Sequence, residues 1–82
     1  SDVTVYPVPA NEFANVSFSP NAGGDATVEL MDMNGSLVGG TTQYVSSGSA
    51  LIQVNVSELP AGIYFARVSL NGEAIVKKMI VE

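Results

Sequence analysis

The residues in this sequence that could do chemistry are its carboxylates and a serine-rich turn. None of the 82 residues is a histidine or a cysteine, so the commonest general base, the commonest metal ligand and any thiolate site are absent. Ser46, Ser47 and Ser49 have no histidine partner and no nucleophile-elbow context. No pattern places two of the eight carboxylates on facing elements, as glycosidase chemistry requires. We therefore predict that the chain is not an enzyme and holds no cofactor.

One acidic segment matches part of a metal-binding pattern. Asp32-Met33-Asn34-Gly35 has the Asp-x-Asn-Gly spacing of a calcium loop, but it lacks the leading Asp and the trailing bidentate Glu of that loop. A plain hairpin turn explains the same residues, so we predict a turn here and no metal site.

Three Asn-x-Ser sequons occur, at Asn15, Asn34 and Asn55. They suit a glycosylated eukaryotic surface domain. A strand-rich chain with many Ser and Asn also produces such triplets by chance, and this interpretation stays a minor alternative.

Length and charge restrict the remaining function classes. A chain of 82 residues makes a single domain, residues 1–82, with one core and no room for an enclosed cleft. The net charge is −5, and the three cations are Arg67, Lys77 and Lys78. Nucleic-acid binding is disfavoured because phosphate contacts need a basic surface. No apolar run reaches the ~18 residues of a membrane span, and no signal peptide is visible. We expect no membrane insertion, and any export signal would have to lie upstream, on a longer precursor.

Apolar residues alternate with polar ones along most of the chain, as is typical of half-buried β-strands, and helical spacing is absent. The alternation predicts strands at Val3–Val5, Phe13–Ser19, Ala26–Asp32, Leu37–Val45, Leu51–Val56, Ile63–Leu70 and Ala74–Val81. Within the fourth strand, Gly39-Gly40 predicts a bulge or bend.

Turn residues separate these strands. Pro7 and Pro9 end the first strand, and Asn34-Gly35 and Asn71-Gly72 each predict a two-residue type I′ hairpin. About seven short strands with turns every 8–12 residues indicate an all-β fold. An immunoglobulin-like antiparallel β-sandwich is favoured over a small barrel.

The segment Leu59-Pro60-Ala61-Gly62 predicts a tight bend that carries the chain between sheets, because Pro60 fixes φ and Gly62 accepts a positive φ. Tyr64 follows on the face shared by Ala66 and Val68. Its hydroxyl is expected to bond back to the backbone of the bend, as in a tyrosine corner.

Four segments occur in an order that resembles a known family. They are VYPVPANEFANVSF near the start, VELMDMNGSLV in the middle, LPAGIYFARV, and KKMIVE at the end. Together, from Val5 to Glu82, they are similar to the C-terminal sorting domain of cargo proteins of the type IX (Por) secretion system of Bacteroidota. The family usually has Asn between the two prolines of the first segment, where this chain has Val8.

This resemblance implies a non-catalytic secretion signal. Such a domain directs an upstream cargo from the periplasm across the outer membrane, to the cell surface or the medium. The implied partners are the outer-membrane translocon and a sortase-like protease, which removes the domain and attaches the cargo to the surface. The positions implied in recognition are Leu59, Pro60, Ala61, Gly62, Tyr64, Arg67, Lys77, Lys78, Met79, Ile80, Val81 and Glu82.

Physical chemistry adds two expectations for the last strand. It closes the sandwich with Lys77 and Lys78 in solvent, and it can add to the sheet edge of a partner with an acidic surface. The chain is then a monomer or an edge-strand dimer. The alternative function is a surface-binding or adhesion module that contacts a sugar or a protein through loops bearing Phe13 or Tyr44.

Overall fold

A computed structural model describes residues 3–7 and 10–82 of the chain, and these residues form seven β-strands. The strands are β1 (Thr4–Tyr6), β2 (Phe13–Phe18), β3 (Gly24–Met31), β4 (Leu37–Val45), β5 (Ala50–Asn55), β6 (Gly62–Leu70) and β7 (Glu73–Val81). Their number and order confirm the sequence prediction. β1 ends directly before Pro7, as predicted, whereas Pro9, the second residue expected to end this strand, lies outside the described residues together with Val8. No helix long and apolar enough to cross a bilayer occurs in residues 3–7 and 10–82.

The strands form two antiparallel sheets. One sheet has three strands in the order β1-β2-β5, and the other has four in the order β4-β3-β6-β7. The chain changes sheet after β2, after β4 and after β5. Two separate sheets packed face to face confirm the immunoglobulin-like sandwich and not the barrel.

The core lies between the sheets because every second residue of most strands is apolar. In β5 the residues at even positions are buried and those at odd positions are exposed. In β3 Ala26, Val28 and Leu30 are buried, and the residues between them are half-buried. The largest fully buried side chains are Val16, Val28, Leu30, Ile52, Val56, Met79 and Val81. No polar or charged side chain is buried within the described residues. Hydrophobic burial is therefore the main stabilising term of this fold.

The hairpin at Asn34-Gly35 forms, but the predicted type I′ turn is wrong. Gly35 has a φ of 82°, and Asn34 is not among the residues with positive φ. The amide of Gly35 donates to the Asp32 carbonyl oxygen at 3.0 Å, and the amide of Asp32 donates to the Ser36 carbonyl oxygen at 3.0 Å. This is a type I turn followed by one left-handed residue. The Asp32 side chain selects it, because its Oδ1 accepts from the amides of Asn34 at 2.9 Å and Ser36 at 3.0 Å.

The second hairpin has the predicted type I′ turn. Asn71 and Gly72 have φ values of 51° and 84°, and Leu70 pairs with Glu73 across the turn. Both central residues adopt positive φ, which Asn and Gly tolerate best.

The predicted irregularity near Gly39-Gly40 is a bulge one residue earlier. Leu30 pairs with Gly39 while Met31 pairs with Leu37, so Val38 is the extra residue in β4. A Cβ atom on Gly40 would lie 2.5 Å from the Val28 carbonyl oxygen. Glycine is therefore required at residue 40 by the close approach of the β3 backbone.

We predict that Gly40→Ala lowers the free energy of unfolding by about 1–3 kcal/mol, because the added methyl group forces the two backbones apart. Gly39→Ala is the matched control. Its Cβ would meet only the Leu30 Cδ1 atom, at 3.6 Å, an ordinary contact. Urea denaturation followed by circular dichroism measures both variants. Equal midpoints for the two would contradict the steric explanation.

Candidate functional site

The bend at residues 59–62 joins the two sheets, as the sequence predicts. It follows β5 of the three-stranded sheet and leads into β6 of the four-stranded sheet. The amide of Leu59 donates to the Val56 carbonyl oxygen at 3.1 Å, and the Leu59 side chain packs against the core. Pro60, Ala61 and Gly62 are exposed. Gly62 has a φ of 157°, which confirms the positive φ expected at this glycine. The bend therefore anchors one apolar side chain and presents three small residues to solvent.

Tyr64 fixes the bend to β6. Its ring is only 6% exposed, and its hydroxyl donates to the Pro60 carbonyl oxygen at 2.6 Å. This is the tyrosine corner expected from the sequence. Tyr64 is thus covered by the protein itself, and any effect it has on a partner acts through the position of Pro60 and Ala61.

Arg67 lies on the outer face of the four-stranded sheet. Its Nη1 atom lies 3.1 Å from Oε1 of Glu29 on the neighbouring strand β3 and also donates to Oγ of Ser69 at 3.2 Å. Exposed pairs of this kind contribute about 0–1 kcal/mol to stability. The charge of Arg67 is therefore balanced by its own sheet.

The last strand, β7, closes the fold and stays partly open to solvent. It pairs with β6 along its whole length, from Leu70–Glu73 to Gly62–Val81. Met79 and Val81 are buried in the core, which confirms the expectation that this strand closes the sandwich. Lys77 and Lys78 are exposed, as expected. Neither lysine has an ion-pair partner within residues 3–7 and 10–82.

The end of β7 is tied to the start of the chain. The amide of Ala10 donates to the Ile80 carbonyl oxygen at 2.8 Å, and the amide of Glu82 donates to the Ala10 carbonyl oxygen at 2.8 Å. Ala10 is fully buried. This one-residue bridge holds Ile80 to Glu82 in register, while the Ile80 and Glu82 side chains remain exposed.

Pairing of β6 with β7 brings the twelve positions named from the sequence into one region. Gly62 lies beside Val81, Tyr64 beside Met79, and Arg67 beside Val76, next to Lys77. The exposed members are Pro60, Ala61, Gly62, Arg67, Lys77, Lys78, Ile80 and Glu82. Tyr64, Met79 and Val81 are buried, and Leu59 is half-buried. The set thus divides into side chains that a partner could touch and side chains that hold them in place.

An apolar surface beside these residues was missed by sequence reasoning. The outer apolar patch consists of Met31, Leu37, Ile63, Phe65 and Ile80, joined by the pairs Met31–Leu37, Met31–Phe65 and Ile63–Ile80. These side chains lie on the face of the sheet that points away from the core. A signal was present, since Ile63 and Phe65 are apolar on the strand face opposite Tyr64 and Ala66.

The loops proposed for a surface-binding module are not loops. Phe13 lies in β2 and Tyr44 in β4, and the two strands belong to different sheets. That part of the alternative interpretation is wrong, because both residues continue the alternation of a paired strand. The Asp32 carboxylate, considered for calcium, accepts two backbone hydrogen bonds of its own turn. Of the sequon residues, Asn55 accepts from the Ser57 amide at 2.8 Å and shapes a turn.

We predict that Tyr64→Phe lowers the free energy of unfolding by about 1 kcal/mol, because the buried ring stays in place while the hydrogen bond to Pro60 is lost. Tyr44→Phe is the control. Tyr44 is 66% exposed, and removal of its hydroxyl is expected to change stability by less than about 0.5 kcal/mol. Chemical denaturation compares the two variants. A Tyr64→Phe variant as stable as the parent would show that the corner does not stabilise the bend.

Comparison with known proteins identifies the family of the chain. A search of curated proteins finds no match. The model of the secretion system C-terminal sorting domain family matches residues 4–82, which include all seven strands, the bend and the β6–β7 pair. The family is one of type IX secretion sorting signals and is generally non-catalytic. The chain belongs to the secretion system C-terminal sorting domain family.

Proposed function

We propose that this domain carries its cargo across the outer membrane by presenting the exposed part of the β6–β7 region to the secretion machinery. The observation that carries the proposal is the position of Lys77 and Lys78. They are the two cations without an ion-pair partner among the described residues, and they stand on an edge strand. A protein of net charge −5 thus carries these two cations at consecutive positions of one edge strand, one on each face of β7.

The charge distribution favours an acidic receptor. Complementary charges accelerate encounter and fix orientation more than they add affinity. Lys77 and Lys78 would orient the domain. Ile80, two residues after Lys78, and Pro60 and Ala61, near the end of β7, would supply small and apolar contacts. The buried Tyr64, Met79 and Val81 act by holding these residues in position, and Arg67 is balanced by Glu29.

The same proposal covers the route and the partners. The domain passes through the periplasm, is recognised by the outer-membrane translocon and reaches the cell surface or the medium with its cargo. A sortase-like protease then removes it, and the cargo is attached to the surface. Family membership supports this route. We further propose that the domain catalyses no reaction and inserts into no membrane.

We predict that deletion of Met79–Glu82 abolishes export of a fused periplasmic reporter in a host that carries the secretion system. The deletion removes exposed tail residues and also two buried side chains, Met79 and Val81. It therefore tests the last strand as a whole. Normal surface levels of the truncated fusion would contradict a signal in this strand.

A second variant separates recognition from folding. Lys77→Glu with Lys78→Glu changes two exposed side chains, so stability should change by less than about 0.5 kcal/mol per site, while export is expected to fall. The control is Ser47→Glu with Ser49→Glu, which adds two glutamates to the exposed turn between β4 and β5. Circular dichroism verifies the fold of each variant, and surface reporter levels measure export. Equal export of both double variants would exclude a role for the lysine pair.

A further inference from the structure

Strand β7 is one of the two edges of the four-stranded sheet, the other being β4, and none of the described strands pairs with its outer side. Ala10 bonds to the Ile80 carbonyl and the Glu82 amide, so the backbone groups of even-numbered residues point away from β6. The same alternation turns the amides and carbonyls of Ala74, Val76 and Lys78 outward. Within residues 3–7 and 10–82 no strand pairs with them. Such an edge is a template for an added strand.

The side chains along this edge carry both signs of charge. Odd-numbered residues of β7 share the core-facing side, because Lys77 pairs with Ala66 and Ile75 pairs with Val68, both of which are buried. Glu73 and Lys77 are nevertheless exposed. Along this side of β7, every second residue thus runs from the acidic Glu73 through the apolar Ile75 to the basic Lys77.

That order favours one register for two antiparallel copies. With Ile75 opposite Ile75 of the second copy, Glu73 stands opposite Lys77 of the second copy, twice by symmetry. The even-numbered Ala74 and Val76 then exchange backbone hydrogen bonds, as their outward direction requires. A register centred on Lys77 would place like charges opposite each other, which is destabilising. Both favourable pairs fall at positions without ladder hydrogen bonds, where opposed side chains are closest.

An adjacent cavity supports the same arrangement. It has a volume of about 230 Å³ and lies between the sheets, where its lining includes Phe18, Val68, Leu70, Glu73 and Ile75. Two of these residues, Glu73 and Ile75, belong to the proposed contact. A second copy would bring its own Ile75 beside the Ile75 that lines this cavity, and burial of the two apolar side chains favours association.

We propose that two copies of this chain pair through β7, antiparallel and centred on Ile75, so that their four-stranded sheets join into one of eight strands. The contact is short, and an interface smaller than the standard size is weak. We expect weak association, with a dissociation constant that rises with salt because the two charge pairs are exposed.

Sedimentation equilibrium of the 82-residue chain over a concentration series tests the proposal. Lys77→Glu and Glu73→Lys should each raise the dissociation constant at least about tenfold, because attraction becomes repulsion at two symmetric positions. The double variant Glu73→Lys/Lys77→Glu should restore dimerisation. Lys78→Glu is the matched control. It changes the net charge as Lys77→Glu does, but its side chain lies on the opposite face of the strand, and it should have little effect.

Circular dichroism of each variant verifies that the monomer is folded. A parent chain that stays monomeric throughout the series would overturn the proposal. So would dimerisation that is equally strong in both single variants, since the contact would then lie elsewhere. Failure of the charge swap to restore the dimer, or an equal loss in Lys78→Glu, would overturn the register. The export assay distinguishes this proposal from the role of the lysines in secretion. Glu73→Lys should weaken the dimer but leaves Lys77 and Lys78 unchanged, so the lysine-dependent step of export should be retained in this variant.

Discussion

The pairing of β7 with β6 is the interaction on which the rest of the structure depends. β7 contributes Met79 and Val81 to the core. The register between β6 and β7 places Val81 beside Gly62, the last residue of the bend. The bend is in turn held by the hydroxyl of Tyr64, the residue of β6 that pairs with Met79. The exposed residues proposed for recognition thus share one strand with Met79 and Val81, which complete the core. On that proposal, recognition and folding are coupled because both depend on β7.

Much of this fold is predictable because it is encoded locally. Strand alternation requires only neighbouring residues, so β5 and β6 could be assigned to buried and exposed faces from the sequence. Asn71-Gly72 specifies its turn through the φ preferences of two residues. Tyr64 and Pro60 lie four residues apart, and the tyrosine corner could be anticipated from that spacing.

The remaining features depend on residues distant in the chain, and local patterns do not encode them. The ion pair between Arg67 and Glu29 exists because β3 and β6 are neighbours in the sheet, which no local pattern encodes, and a role of Arg67 in recognition stays a prediction. The bridge from Ala10 to Val81 joins the two ends of the described chain. The turn type at Asn34-Gly35 also depends on the Asp32 side chain. Its carboxylate accepts hydrogen bonds from the amides of Asn34 and Ser36, and these bonds favour a type I turn over the type I′ turn that Asn-Gly alone indicates. These contacts follow from the order of the strands in the sheets, which the alternation of apolar and polar residues does not specify.

The tyrosine corner also gives the domain an intrinsic optical reporter. The chain has three tyrosines and no tryptophan. Tyr6 and Tyr44 are 44% and 66% exposed, whereas the ring of Tyr64 is enclosed and its hydroxyl is bonded. The near-ultraviolet circular dichroism of a tyrosine grows when its ring is immobile in an asymmetric environment, so the native signal comes chiefly from Tyr64. That band therefore follows the junction between the two sheets without a label, in a region adjacent to the residues that a receptor would approach.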